Sequence, residues 1–178
     1  MADPATSMEE IAAQLADVRR RLSWAEAVLE IQALKARYAA LVDDRFANGA
    51  VIEPGAMARV AARIAALFTE DGVWDGGPGL GAVTGRVAIA ERLGAPTLDF
   101  SRHFFANPRI DVDPAGVTAR ARWDLLSPCR RPDGSSWWMC GYEDDEYVCV
   151  DDAWLHRSMR LTTVFMAPVG AGWERILA

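Results

Sequence analysis

Two histidines occur among 178 residues, and the surroundings of one invite chemistry. His103 stands in "SRHFFANPRIDVD", ahead of two phenylalanines and a loop-like Ala-Asn-Pro. From Arg109 to Val112 polar and apolar residues then alternate, so a strand begins beside an apolar pocket. Three further polar residues lie on or beside apolar stripes. Tyr38 falls on the apolar face of a helical pattern. Asp43 follows five residues later, a little over one turn. Asp124, in "ARARWDLLSP", shares a face by alternation with Arg122 and Leu126, opposite Ala121 and Trp123. A carboxylate and an imidazole facing one apolar cavity can form an oriented general base.

Taken singly, each residue has a plainer reading. A partly buried histidine is commonly satisfied by one hydrogen bond. A tyrosine on a helix stripe packs its ring and leaves its hydroxyl at the rim. Asp43, near a helix C-terminus, is disfavoured by the dipole unless it has a partner. Asp124 would face solvent if the register were off by one. The acidic run Glu143–Glu146 could suggest a metal site, but strand neighbours point to opposite faces, and a solvated strand end is the expectation.

The elements that must position these residues come in a simple order. Ser7-x-x-Glu10 is a capping box that starts a helix at about Met8. Its apolar residues Ile11, Leu15, Val18 and Leu22 form a narrow stripe suited to a partner helix. A second box, Ser23-x-x-Glu26, predicts a fresh start or kink near Ser23. The stripe then changes phase to Leu29, Ile31, Leu34, Tyr38 and Leu41, and the helix is expected to end near Asn48-Gly49. Pro54 opens a third helix with Met57, Val60, Ile64 and Leu67 on one face. "TEDGVWDGG" reads as a short strand and "GRVAIAERLG" as a short helix. Four long strands follow, near 103–112, 117–126, 136–150 and 154–165, parted by the turns "DPAG", "RRPDGS" and "DDA". Helices followed by a sheet argue for an α+β domain, its helices covering one face of a curved mixed or antiparallel sheet. The mouth of such a cone is a natural ligand site.

Composition narrows the partners. The net charge is −6 and the pI about 4.9, which gives no pull toward nucleic acid or anionic lipid. Arg19-Arg20-Arg21 reads as a solvated stretch of an acidic helix. Cys129, Cys140 and Cys149 fit neither a zinc pattern nor a disulfide framework. Reduced thiols and an N-terminus without the regions of a secretory signal lead to a cytoplasmic expectation. No glycine loop has the lysine needed to cradle phosphate.

The order of these residues resembles the SnoaL-like branch of the NTF2-like (cystatin-like α+β cone) superfamily, over about Glu30 to Leu161. "IQALKARYAALVDDR" resembles its first helix, "LFTEDGVWDGG" its first strand, "VTGRVAIAERL" its short helix and "RHFFANPRIDV" its histidine strand. "YEDDEYVCVDDAWLHRSMRL" resembles the last hairpin, with Asp152-Ala153 in place of the usual turn glycine. Within that branch the likeness is to bile acid 7α-dehydratases, hexachlorocyclohexane dehydrochlorinases and scytalone dehydratase, which are cofactor-free lyases. The resemblance implies His103 as general base, Asp43 as its orienting carboxylate, Tyr38 as the group that polarises a carbonyl or assists the leaving group, and Asp124 as a second functional aspartate. It implies a pocket that includes Trp74, Phe105, Leu126, Arg157 and Met159. The dehydrochlorinases carry an arginine about where Met159 stands; Arg157 would share its face and substitute, and Arg160 would point away. The expected activity is a cofactor-independent lyase or isomerase, acting on a small hydrophobic molecule of polycyclic or aromatic type. The alternatives are a non-catalytic ligand-binding or adaptor module, or the small subunit of a ring-hydroxylating dioxygenase. Residues 1–24 are expected to form a helical extension for oligomer contact, and residues 25–178 the domain, assembled as a homo-dimer or trimer.

Overall fold

The computed structural model describes residues 7–170. Helix α1 (Met8–Asp43) opens with the expected capping box: Ser7 Oγ accepts from the Glu10 amide, and Glu10 accepts from the Ser7 amide at 2.7 Å. It then runs unbroken for 36 residues, without a second start at Ser23. A capping box needs an extended residue at its first position, and Ser23 lies within the helix. The helix stops at Asp43, earlier than the Asn48-Gly49 signal. That pair instead turns a small hairpin between β1 (Phe46–Ala47) and β2 (Ala50–Val51), both residues at positive φ.

α2 (Pro54–Ala65) has Pro54 in its first turn and Glu53 as its cap. β3 (Phe68–Asp75), β4 (Ala82–Thr84) and α3 (Arg86–Gly94) follow, then β5 (Phe100–Ser101), β6 (Phe104–Val112), β7 (Thr118–Arg130), β8 (Ser136–Val150) and β9 (Ala153–Pro168). One curved sheet has the order β4-β3-β9-β8-β7-β5, with β6 also on β7. It is mixed: β3 runs parallel to β9, and the other pairings are antiparallel. The helices pack on it in an α+β architecture. Among the described residues no helix is long and apolar enough to cross a membrane.

Sheet curvature comes from close approaches and bulges. A Cβ on Gly141 would stand 2.2 Å from the Thr162 carbonyl, so only glycine fits where β8 bends against β9. Further along, Glu146 pairs with Ser158 but Tyr147 with His156, which leaves Arg157 as an extra residue in β9.

α1 serves two surfaces. From Ala27 onward, Ile31, Leu34, Tyr38 and Leu41 are buried against the sheet. Toward the N-terminus, Ile11, Leu15, Val18 and Leu22 remain about half exposed. Of the expected extension, residues 1–6 lie outside the described residues.

Candidate active site

A cavity of about 1150 Å³ opens between the sheet and the helices. Alternation builds one wall. On β7 the buried series Ala119, Ala121, Trp123, Leu125, Ser127 and Cys129 faces inward. Its last three members line the cavity, and its first members pack against α1.

Tyr38, Trp74 and His103 line that cavity as well. Behind His103 stands Asp43, at the last position of α1. Asp43 Oδ1 lies 2.8 Å from His103 Nδ1 and accepts the His103 amide at 3.0 Å. Its Oδ2 lies 3.2 Å from Arg102 Nε. The helix dipole disfavours a carboxylate here, and three donors compensate. A carboxylate acceptor makes Nδ1 the protonated nitrogen, which leaves the Nε2 lone pair free as an acceptor. Phe105 stacks on the imidazole, ring centroids 6.2 Å apart at 17°, and limits its rotation.

Tyr38 Oη accepts from Trp74 Nε1 at 3.1 Å. Burial, reinforced by the charge of Glu143, pushes the phenol above its ordinary pKa. It therefore stays protonated, with its own hydrogen free to donate. An imidazole and a phenol donor on one cavity wall can take a proton from carbon and stabilise negative charge on a nearby oxygen.

Other expected site residues lie elsewhere. Asp124 and Leu126 do share a face, but it is the outer one, because Trp123 and Leu125 take the inside. Asp124 accepts from Asn107 Nδ2 at 3.0 Å and sits 3.6 Å from Arg109. Arg157 does not share the face of Met159, because the bulge at Arg157 breaks the alternation and turns it outward. Met159 is buried in the core with Tyr38 and Trp74, beneath the wall. Arg160, expected to point away, stands at the cavity rim with Nε 3.0 Å from Asp75 Oδ2.

Sequence reasoning missed a buried ionic cluster. Lys35, on the core face of α1, bonds Glu143 and, at 2.7 Å, Asp145. Tyr147 donates to Asp145 at 2.7 Å and accepts from Trp123 at 3.0 Å. So the acidic run is not simply a solvated strand end. Glu143 and Asp145 face in, while Asp144 and Glu146 face out to Arg122 and Arg120. The signal was the alternation itself, which puts residues 143, 145 and 147 on one face, with Lys35 beside Leu34 in the helix stripe. Burial opposes the Lys35 charge, but the two carboxylates outweigh it and raise its pKa. Asp145 is pushed by burial up to about 6; Lys35 opposes this and Glu143 adds to it. Two carboxylates sharing one ammonium account for both directions. Glu143 reaches the cavity.

Arg45 was missed as well. It is buried, lines the cavity, and donates from Nε to Val42 O at 2.8 Å and from Nη1 to Leu93 O at 3.3 Å.

Comparison with known proteins agrees with this architecture. A hexachlorocyclohexane dehydrochlorinase, LinA-type3 from Novosphingobium barchaimii, superposes with a TM-score of 0.69 at 18% identity, covering 85% of this chain and 96% of that one. LinA Type2 gives 0.68 at 18%, covering 85% and 95%. An NTF2-like protein with a cystatin-like fold from Novosphingobium aromaticivorans gives 0.60 at 22%, covering 97% of both chains. No curated protein matches the sequence. At such identities the structural likenesses speak for the fold. The SnoaL-like domain family matches residues 56–160, which include β3, α3, His103 and β6. The match spans more than half of the chain and the fold agrees with it: this protein belongs to the SnoaL-like domain family.

Proposed function

We propose that this protein is a cofactor-independent lyase or isomerase acting on a small apolar molecule. The observation that carries the reading is the 2.8 Å contact between Asp43 and His103 Nδ1 in the wall of a cavity shared with Tyr38. His103 Nε2 removes a proton from a carbon next to a carbonyl, or vicinal to a leaving group. Asp43 holds the imidazole in the reactive tautomer and stabilises the imidazolium that forms. Tyr38 donates its hydroxyl hydrogen to the oxygen that gains charge. In elimination, the electron pair of the broken C–H bond becomes the new double bond and hydroxide leaves, taking up the His103 proton as water. In isomerisation, the same proton returns to another carbon. The dehydrochlorinase neighbours favour elimination by analogy of fold.

The test is turnover of a panel of apolar β-hydroxycarbonyl compounds, followed by loss of water. His103→Ala should remove turnover and leave the melting temperature nearly unchanged. A variant that keeps turnover, or a wild-type chain that binds such compounds and converts none, would reduce the site to a binding cavity.

A further inference from the structure

The charges on the cavity wall do not balance. Four arginines line it, Arg45, Arg92, Arg131 and Arg160, against the carboxylates Asp75 and Glu143. Both carboxylates are engaged, Asp75 by Arg160 and Glu143 by Lys35. Arg45, Arg92 and Arg131 have no ion pair among the described residues. Arg92 spends Nε and Nη1 on the carbonyls of Leu80 and Ala95, at 3.2 and 3.3 Å. Arg131 lies over the Trp137 ring, 3.9 Å from its centroid. The chain as a whole is acidic, with net charge −6, so a cationic cavity runs against its composition.

Arg45 is the informative member, because it is the buried one. Its two hydrogen bonds leave Nη2 uncommitted. Burial lowers its pKa, Asp43 offsets part of this and the like charge of Arg92 adds to it. A buried guanidinium is costly without an anion, and Asp43, two residues away, is already held by His103 and Arg102. We propose that the cavity takes an apolar molecule bearing a carboxylate, seated on Arg45 with Arg92 beside it. A carboxylate accepts a charge-assisted hydrogen bond from the uncommitted Nη2, stronger than the one a neutral carbonyl would accept there. The apolar body lies along Trp74 and Leu125.

The proposal rests on the cavity being the substrate site, but it is tested by binding alone. Calorimetry would compare 2-naphthoate with the neutral 2-naphthamide. The acid is expected to bind about tenfold or more tightly at low salt, and less so in high salt. Arg45→Gln should bring the two ligands close to parity, and His103→Ala should retain the preference. Equal binding of acid and amide to wild type, no binding of either, or a preference that survives Arg45→Gln overturns the assignment. So does a preference lost only in His103→Ala. Arg45 also ties α1 to α3 through the Leu93 carbonyl. If its variant does not fold, Arg92→Gln must weaken the preference severalfold. A chain that prefers the acid yet converts nothing would sink the lyase reading and leave this one standing.

A second inference stands on α1 alone. Met8, Ile11, Leu15, Val18, Leu22, Ala25 and Leu29 follow an unbroken heptad, as positions a, d, a, d, a, d, a. The four at Ile11, Leu15, Val18 and Leu22 are exposed by 46–56%, and Leu29 by 64%. Arg21 then occupies a g position and Glu26 an e position. We propose that this half of α1 assembles with further copies of the chain as a parallel coiled coil. In that register Arg21 meets Glu26 of the neighbouring copy. One fully overlapping antiparallel register sets Arg21 against Arg21 and Arg19 against Arg19, and the other makes no Arg–Glu pair. Leucine at a with β-branched residues at d favours more than two strands. Light scattering should therefore give at least three times the 19.5 kDa chain mass. Leu15→Glu with Leu22→Glu should give a folded monomer. Glu26→Arg should loosen the assembly, and Arg21→Glu with Glu26→Arg should restore it. A monomeric or dimeric wild type, or a double swap that restores nothing, overturns the proposal.

Discussion

Both histidines of this chain lie close to an aspartate, and the two pairs stand in opposite surroundings. His103 Nδ1 is 2.8 Å from Asp43, with the ring on a cavity wall. His156 Nδ1 is 3.9 Å from Asp145, with the side chain wholly buried. Neither nitrogen of His156 has a hydrogen-bond partner among the described residues. Burial pushes its pKa well below the ordinary value, and the nearby charge of Lys35 pushes the same way, so the ring is neutral. At 3.9 Å a neutral imidazole and a carboxylate already engaged by Lys35 and Tyr147 do not form an ion pair. His156 instead stacks on Phe68, centroids 5.0 Å apart, and meets the Tyr147 ring at a tilt, centroids 4.8 Å apart. Residue types alone do not make a base. Access, a committed acceptor and a free second nitrogen are needed as well, and of the two only His103 has all three.

Four measurements would break or sharpen this contrast. The largest effect belongs to His103→Ala. Loss of the proposed base should lower kcat by about 10²–10⁴-fold or more, with little change in stability. Next comes Lys35→Met, which strands two buried carboxylates. Denaturant unfolding at pH 8 should show a loss of about 3–5 kcal/mol. A smaller effect concerns pH. The folded-state pKa of Asp145 is raised to about 6, so the folded chain holds this proton more tightly than the unfolded chain. Its contribution to stability is therefore complete below the unfolded carboxyl range and is lost as pH rises through about 6. The stability profile from pH 4 to 7 should carry this downward slope, and Asp145→Asn should flatten it. The smallest effect is that of His156→Phe. It keeps a ring against Phe68 and Tyr147 and removes two unsatisfied nitrogens, so stability should hold or rise by about 1 kcal/mol. A large loss there would mean that His156 does more than pack.

How far the sequence could be read depended on which physical quantity each residue needed. The capping box, the proline at the start of α2 and the period-two strands are local signals, and they placed the elements. Tyr38, Asp43 and His103 were legible because their types broke apolar patterns and their order resembled a known family. Asp124 and Leu126 went astray because alternation says which residues share a face, and not which face lies inside. That is settled by Trp123 and Leu125 packing inward. Lys35 and Arg45 left little trace, since a lone cation in a helical segment usually marks solvent. Their partners lie on β8 and in the last turns of α1 and α3, which only tertiary packing brings together.

The extra residue in β9 has a consequence for how this strand can change. Arg157 is exposed, and its side chain lies outside both core clusters, so most substitutions there should be silent. Deletion is another matter. The bulge is a half-step that lets one strand present Trp154 and His156 inward on one side of it and Met159 and Leu161 on the other. Deleting Arg157 removes the half-step and the residue together, so Trp154, His156, Met159 and Leu161 would fall on one face of a regular strand. The position is free in identity, and a lost codon there would keep both sets inside and take away only the local bend and twist that the bulge adds.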